Sequence, residues 1–275
     1  MNQIFEKSFY SLLFFILFTN IEFFVKTSYF PTYVMFAWPL NLFIPLNEIS
    51  LKTLNIFHFC LLIISMLFCL SSSAFNKKII NFLSCSFFLM MISIHLSYGT
   101  IFHNHHVWLY ATCLMCFFSS KSPLNSKYNK FLIRLIQSLI LSTYFISGIW
   151  KIRKVFSKHS LTDIASEQIA YSIGESYYSN IILELFGLTY GVKIFGMGLF
   201  FVILFQLSCI LPILVGRYFI LYGFLAILFH IATVIALDVI WSYGVLALIF
   251  FLIITELMLN KENIKFPRKL KSIVE

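Results

Sequence analysis

The chain has 275 residues, of which 60% are hydrophobic and only 11% are charged. Its mean hydropathy is +0.90, and a soluble globular protein needs more polar surface than this composition supplies. The net charge of +9 comes from basic residues at the ends of apolar blocks, which is typical of membrane-protein flanks and not of a nucleic-acid interface. We therefore predict an integral membrane protein that has membrane lipid, and no nucleic acid, as a partner.

Long apolar blocks divide the chain and predict membrane-spanning α-helices. A β-barrel would show alternating apolar and polar residues, and stretches such as Ile194–Val215 do not alternate. The predicted fold class is all-α, a polytopic transmembrane helical bundle of about eight spans in a single domain over 1–260. The predicted spans are residues 8–25, 54–72, 80–98, 105–119, 131–150, 194–215, 218–237 and 241–259.

The N-terminal segment predicts an uncleaved first span, because no small-residue cleavage site follows the apolar run from Ser8 to Val25. The next segment, 27–46, is apolar but contains three prolines, which break helices. We predict that this segment lies at the interface or re-enters the membrane. A ninth span is the alternative, and it would reverse the orientation of everything after it.

The distribution of lysine and arginine residues predicts the orientation of the bundle in the membrane. With both termini in the cytoplasm, 13 of the 20 lysine and arginine residues fall on the inner side and seven on the outer side, as the positive-inside rule requires. The predicted location is therefore the cell membrane, with multiple spans and a basic cytoplasmic tail, 261–275, that contacts anionic lipid. The inner residues are Lys7, Lys77, Lys78, Lys121, Lys127, Lys130, Arg134, Arg217 and five in the tail.

The longest polar segment, 151–193, is the predicted outer loop. Ser160 followed by Asp163 is typical of a helix start. Apolar residues then recur at helical spacing, which predicts an amphipathic helix on the outer membrane surface. They are Leu161, Ile164, Ala165, Ile169 and Ile173.

All six cysteines lie inside apolar blocks, so we expect buried, small hydrophobic side chains and no disulfide framework. Cys113 and Cys116 form a C-x-x-C pair, but it stands within a predicted span and has no second pair beside it.

Ionisable residues inside predicted spans are the first candidates for function, because they are costly in lipid. Arg134 and Glu256 stand near inner span ends and are interpreted as flank residues. His58 and His95 stand near outer ends, where a lone histidine is most often a polar residue satisfied by its neighbours.

Three histidines cluster in the run from His103 through Asn104 and His105 to His106. The predicted topology makes this run the short outer turn between the third and fourth spans. Imidazoles this close could bind a metal, although no carboxylate or cysteine stands beside them. Hydrogen bonding to a polar ligand headgroup is the other interpretation.

Lys151 ends the run that begins at Tyr144 and contains Gly148 and Trp150. One interpretation is an ordinary interfacial lysine beside an interfacial tryptophan. The other is a base, because a neutral amine at the edge of a low-dielectric site can accept a proton. Gly148 would then allow another helix or a ligand to approach closely.

His230 lies inside the seventh predicted span, about 12 Å from its outer end, and an imidazole at that depth needs a partner. Asp238 and Trp241 follow at the outer turn. In the predicted topology the histidine cluster, Lys151 and His230 all lie in the outer half of the membrane. We therefore predict an outward-opening pocket between helices.

Three stretches resemble the membrane domain that vitamin K-dependent γ-carboxylases share with bacterial relatives, the HTTM domain. Residues 144–151, YFISGIWK, are similar to the family's Y-F-I-A-G-x-x-K. Residues 104–110, NHHVWLY, are similar to N-N-H-S-Y-L-Y, and Phe229-His230 followed by Trp241 resembles the family's F-H before its last spans. The family's tryptophan and glycine soon after the lysine are replaced here by Val155, Phe156 and Ser157, and we see no counterpart of the large extracytoplasmic domain.

The resemblance implies a catalytic set in which Lys151 is the base and His106 or His230 positions or stabilises a reduced, vitamin K-like quinone. It implies ligand contacts from Asn104, His105, Tyr144, Gly148 and Trp241. Short relatives, the sporulation-delaying B proteins, help to mature an exported toxin peptide, which implies an exported peptide and a small partner protein as partners.

Two further functions remain open at this point. A non-enzymatic membrane scaffold or immunity protein would tolerate changes at Lys151 and His230. A transporter is disfavoured, because the sequence has no inverted repeat and no paired broken helices.

Overall fold

The computed structural model describes residues 2–20, 51–69, 74–97, 103–157, 160–163, 177–237 and 242–263. Most of these residues are helical and none is in a β-strand, so the predicted all-α class is confirmed. The helices are α1 (Asn2–Thr19), α2 (Leu51–Cys69), α3 (Ala74–Ser97), α4 (His103–Met115), α5 (Lys127–Phe156), α6 (Tyr177–Ser208), α7 (Ile210–Val215), α8 (Phe219–Leu237), α9 (Ser242–Ala247), a π-helix (Leu248–Ile254) and α10 (Thr255–Asn263).

Two helical stretches are long and apolar enough to cross a membrane by length and composition, Lys127–Phe156 and Thr189–Val215. Shorter apolar helices cover Phe219–Val234 and Gly244–Asn260. Every predicted span coincides at least in part with a helix. The count of about eight membrane crossings stays a prediction, and segment 27–46 and the tail from 264 onward lie outside the described residues.

The described chain forms two compact units. The first holds the residues up to Ile136 and those from Leu257 onward, and the second holds Gln137–Glu256. The single domain predicted over 1–260 stays a prediction.

The core of the first unit contains one face of α1. Phe5, Phe9, Leu13 and Leu17 recur at helical spacing and are fully buried. The Phe9 ring lies 6.4 Å from the buried ring of Trp108 in α4. Aromatic packing therefore joins the start of the chain to α4.

A buried asparagine closes the turn between α4 and α5. The Asn129 side chain is fully buried, and its Nδ2 donates to the carbonyl oxygens of Ser119 at 3.0 Å, Ser122 at 3.1 Å and Pro123 at 3.1 Å. Its Oδ1 accepts from the Ser119 backbone N–H at 3.1 Å. These bonds fix the position of residues 119–123, of which the first three border a cavity.

The second unit contains a bent helix and extends into the predicted outer loop. Helix α5 continues to Phe156 and α6 begins at Tyr177, so both ends of the predicted loop 151–193 are helical. The predicted helix start at Ser160 is present as a capping box, in which the Ser160 N–H donates to Asp163 Oδ2 and the Asp163 N–H donates to Ser160 Oγ. Residues 164–176, which complete the predicted amphipathic helix, lie outside the described residues.

Glu256, which the sequence suggested to be a flank residue, is instead buried just after the π-helix. Glu256 is 7% exposed, and Gln137 Nε2 lies 3.4 Å from its Oε2. The same Nε2 donates to the Phe251 carbonyl at 2.8 Å. A π-turn displaces backbone carbonyls from their α-helical partners, and here it presents one to a buried side chain. Arg134, the other residue interpreted as a flank residue, is half-buried.

Apolar side chains are exposed along several helices, as expected where helices contact lipid. Phe201 is 68% exposed, Leu214 74% and Leu228 60%.

The five described cysteines are free thiols, and Cys60 and Cys113 are exposed. The prediction that all cysteines are buried is therefore wrong for these two, because a small apolar side chain can face an apolar surrounding without cost.

Replacing Gly187 by alanine tests the bend in α6. Gly187 has φ 68° and ψ 164° inside the helix, a region that is essentially restricted to glycine, so alanine is expected to lower the free energy of unfolding by about 1–3 kcal/mol. The measurement is chemical unfolding in detergent. Gly198→Ala in the same helix is the control, because an added Cβ there meets no atom within 4 Å and alanine favours a helix. Equal stability of the two variants would contradict the bend.

Candidate functional site

Four residues that the sequence singles out share one face of α5 in the second unit. Tyr144, Ser147, Gly148 and Lys151 stand three, four and seven residues apart, which places them on one side of a helix. This polar face packs against α6 and reaches α8. Tyr144 and Lys151 lie about 10 Å apart along the helix axis.

Lys151 makes one hydrogen bond within α5 and one to α6. Its Nζ donates to Ser147 Oγ at 2.8 Å and to Gln206 Oε1 at 3.0 Å. Gln206 is 2% exposed, and its Nε2 lies 3.5 Å from Ser147 Oγ. The amine therefore points into the helix contact and not toward the surface.

Trp150, the residue before Lys151, is exposed and pairs with a different cation. Trp150 is 56% exposed, and the cation that covers its ring is Arg153, whose guanidinium carbon lies 5.0 Å from the ring centroid. Because successive residues on a helix point about 100° apart, Lys151 faces inward while Trp150 faces outward. The structure thus places the Lys151 amine at the contact between α5 and α6, and its role as a base stays a prediction.

His230 has the partner that its depth requires. Its Nε2 lies 2.6 Å from the Tyr144 hydroxyl, and the residue is 6% exposed. The Tyr144 ring also contacts the rings of Phe205 in α6 at 5.9 Å and Phe229 in α8 at 6.0 Å. Helices α5, α6 and α8 therefore meet at an aromatic cluster around one polar pair.

Gly148 permits the contact between α5 and α6, as predicted. A Cβ added at Gly148 would lie 3.0 Å from Gln206 Cβ, 3.2 Å from the Leu207 backbone nitrogen and 3.3 Å from the Gln206 carbonyl carbon. Two of these atoms are backbone atoms, so the helices would have to separate to admit a side chain. The glycine thus brings Gln206 within reach of Lys151.

The histidine cluster belongs to the first unit, and it is helical. Residues 103–106 form the first turn of α4, which corrects the prediction of a short turn. His105 is 6% exposed and its Nε2 lies 3.2 Å from Asn20 Oδ1. His106 is half-buried, with its ring centroid 6.4 Å from that of Tyr110. Among the described residues no group of three His, Cys, Asp or Glu side chains could hold a metal ion.

The predicted catalytic set is divided between the two units. Lys151 and His230 belong to the second, and His106 belongs to the first. A cleft shared by all three stays a prediction. Asp238 and Trp241 lie outside the described residues, as do the side chains of His58, His95, His103, Asn104 and Glu184.

Sequence reasoning missed Ser147 and Gln206, the two acceptors of the Lys151 amine. Ionisable residues inside apolar blocks were the first candidates for function. Neutral polar side chains are also costly in such blocks, and both residues stand within long apolar runs. An amide or hydroxyl side chain inside a long apolar run is therefore the sequence signal that points to both residues.

Replacing Gly148 by alanine is expected to weaken the contact between α5 and α6. The added methyl group overlaps backbone atoms of α6, so the free energy of unfolding is expected to fall by about 1–3 kcal/mol, as measured by chemical unfolding in detergent. Gly198→Ala is again the control. A Gly148→Ala variant as stable as the unchanged protein would show that the helices do not approach this closely.

Comparison of the chain with protein-family models, with curated proteins and with solved structures gives no significant match. The function proposed below therefore depends on the contacts described above and on the motifs in the sequence.

Proposed function

We propose that the chain is a multi-pass membrane protein of the HTTM type that uses Lys151 as a base on a membrane-borne ligand and serves the maturation of an exported peptide. The observation that carries this proposal is the pair of hydrogen bonds from the Lys151 amine to Ser147 Oγ and Gln206 Oε1, at 2.8 and 3.0 Å. They hold an amine within an apolar helix contact, where ionisable groups are costly and mark functional sites.

The two acceptors orient the amine for proton transfer. A neutral lysine amine has two N–H bonds and one lone pair. Ser147 and Gln206 match the two N–H bonds, so the lone pair remains available to take a proton from a ligand hydroxyl. The proton then resides on Nζ, and the same two acceptors stabilise the resulting ammonium.

The aromatic rings and the polar pair around Tyr144 support a reduced quinone as the ligand. Phe205 and Phe229 flank the Tyr144 ring and would pack against an aromatic ligand ring. The Tyr144 hydroxyl, held by His230, would orient a ligand oxygen. A reduced quinone supplies an acidic hydroxyl and reducing electrons when it is bound, and Lys151 would accept the hydroxyl proton.

Polar contacts within the first unit bring together segments that the proposed topology assigns to the same side of the membrane. Asn2 at the start of α1 donates to the carbonyl oxygen of Ser120 at 3.5 Å, and Glu6 forms an ion pair with Lys77 at the start of α3. The topology predicted from the sequence assigns all of these segments to the inner side. It assigns Asn20 and His105, which contact each other at 3.2 Å, to the outer side.

A scaffold or immunity role is the alternative, and one observation favours it. Both hydrogen bonds from Lys151 end within the chain itself, so the amine could serve only to hold α5 against α6. Polar side chains contribute to helix association in membranes in this way. In that case a neutral hydrogen-bonding residue could replace the lysine.

Two substitutions of Lys151 separate these functions. Lys151→Gln retains a side chain that can donate to Gln206 but cannot act as a base, and Lys151→Met removes both properties. If Lys151 is the base, both variants are expected to abolish release of the mature exported peptide, measured by mass spectrometry of the culture medium. If Lys151 only joins the helices, Lys151→Gln is expected to act as the unchanged protein does.

The control for this test is Lys154→Gln, an exposed lysine of the same helix, which is expected to leave peptide release unchanged. Immunoblots of isolated membranes check that every variant is inserted in equal amount. Full peptide release by Lys151→Met would remove both roles of the amine.

The proposed orientation predicts which segments can be labelled from outside the cell. In a cysteine-free background, Ser160→Cys in the outer loop is expected to react with a membrane-impermeant maleimide in intact cells. Ser272→Cys in the tail is expected to react only after the membrane is opened. Labelling of Ser272→Cys in intact cells would reverse the orientation and place Lys151 on the inner side.

A further inference from the structure

A cavity of about 400 Å³ lies in the first unit, apart from the site around Lys151. It is bordered by the start of α1, the start of α3, the turn after α4 and Tyr128 of α5. Its volume is within the range of about 300–1,000 Å³ that small-molecule sites occupy. The segments around it are those that the sequence places on the inner side of the membrane.

The charged residues around the cavity leave it positive. Lys77, Lys78 and Lys121 border it, together with a single carboxylate, Glu6. Glu6 forms an ion pair with Lys77. Lys78 and Lys121 are exposed, and neither forms an ion pair with a residue that the structure describes. Two cations therefore remain to attract an anion, while a metal cation would be repelled.

A buried amide in the wall offers a polar group to a ligand. Asn81 is 1% exposed and borders the cavity. Its Nδ2 donates to the Tyr10 hydroxyl at 3.0 Å, and its Oδ1 has no hydrogen-bond partner among the described residues. Because the Tyr10 hydroxyl can donate as well as accept, a 180° turn of the amide would let Oδ1 accept from Tyr10 and leave the NH₂ group to donate to an anion.

Apolar side chains form part of the border as well. Met115, Phe117 and Phe118 line the cavity, and Phe117 is 60% exposed. A ligand that fits both kinds of surface carries a compact anionic group and an apolar portion. A phosphate group meets the first requirement, because its oxygens accept several charge-assisted hydrogen bonds at once.

We propose that this cavity binds the phosphate group of an anionic amphiphile. Lys78 and Lys121 contact the phosphate oxygens, the Asn81 amide donates to one of them, and the phenylalanine border contacts the apolar portion. Two sources supply this chemistry: the headgroup of an anionic phospholipid of the inner leaflet, or a soluble phosphate compound. The proposal is independent of the proton-transfer role of Lys151.

The test uses the full chain purified in a neutral detergent. The unfolding temperature is measured during titration with dihexanoyl phosphatidic acid, with dihexanoyl phosphatidylcholine and with inorganic phosphate. Phosphatidic acid is expected to raise the unfolding temperature in a saturable manner, and phosphatidylcholine to raise it much less. A rise with inorganic phosphate as well would identify a soluble phosphate as a sufficient ligand, and no rise would assign the site to a lipid headgroup.

Variants decide whether binding occurs in the cavity. The double variant Lys78→Gln/Lys121→Gln is expected to weaken phosphatidic acid binding by at least about tenfold. The control Lys127→Gln/Lys130→Gln removes the same charge on the same predicted side, from residues that do not border the cavity, and is expected to change binding by less than about twofold. Equal losses in both would indicate general surface attraction and overturn the proposal.

Asn81→Asp provides a second check that does not alter the lysines. The aspartate is close in size to asparagine but places a carboxylate in the cavity wall, where it would repel a phosphate and attract the lysines. Phosphatidic acid is expected to bind no longer. The unliganded variant is expected to unfold at a lower temperature, because position 81 is buried, so binding is judged from the shift relative to each variant's own unliganded state. Unchanged binding would place the ligand outside the cavity and overturn the proposal, as would the absence of a phosphatidic acid effect on the unchanged protein.

Discussion

An unpaired polar group inside an apolar helical bundle costs several kcal/mol, and this cost determines which helix faces meet in this protein. Apolar contacts alone select few helix pairs where the surroundings are as apolar as the helices. Each unit therefore contains buried polar side chains that pair with a distant segment. Asn81 pairs with Tyr10 in the first unit, and Lys151 pairs with Gln206 in the second. Gln137 reaches a backbone carbonyl that the π-helix presents.

The polar pairing at Lys151 depends on a residue that has no polar group. Gly148 lets the backbones of α5 and α6 approach until an added Cβ would lie 3.0 Å from Gln206 Cβ. At that separation a lysine one turn further along α5 reaches the Gln206 amide and still contacts Ser147 of its own helix. Close packing and hydrogen bonding are thus two parts of one contact.

The two candidate sites suit ligands of different chemistry. Around Tyr144 the polar groups pair with one another and aromatic rings surround them, which suits an apolar ligand that exchanges a proton. The cavity of the first unit instead has exposed cations and a buried asparagine whose amide oxygen has no partner among the described residues, which suits a charged headgroup. Both arrangements are compatible with a protein whose ligands come from the membrane.

The sequence by itself determined that the chain is helical, where its apolar segments lie, and that Lys151, His230 and Gly148 are candidates for a site, because composition and short-range spacing carry that information. The tertiary structure decided what each side chain contacts. The partner of Lys151 is 55 residues away, and Glu256 is buried by a contact with Gln137, 119 residues away. Such contacts depend on how each helix is rotated about its axis against its neighbours, and no local pattern specifies that rotation.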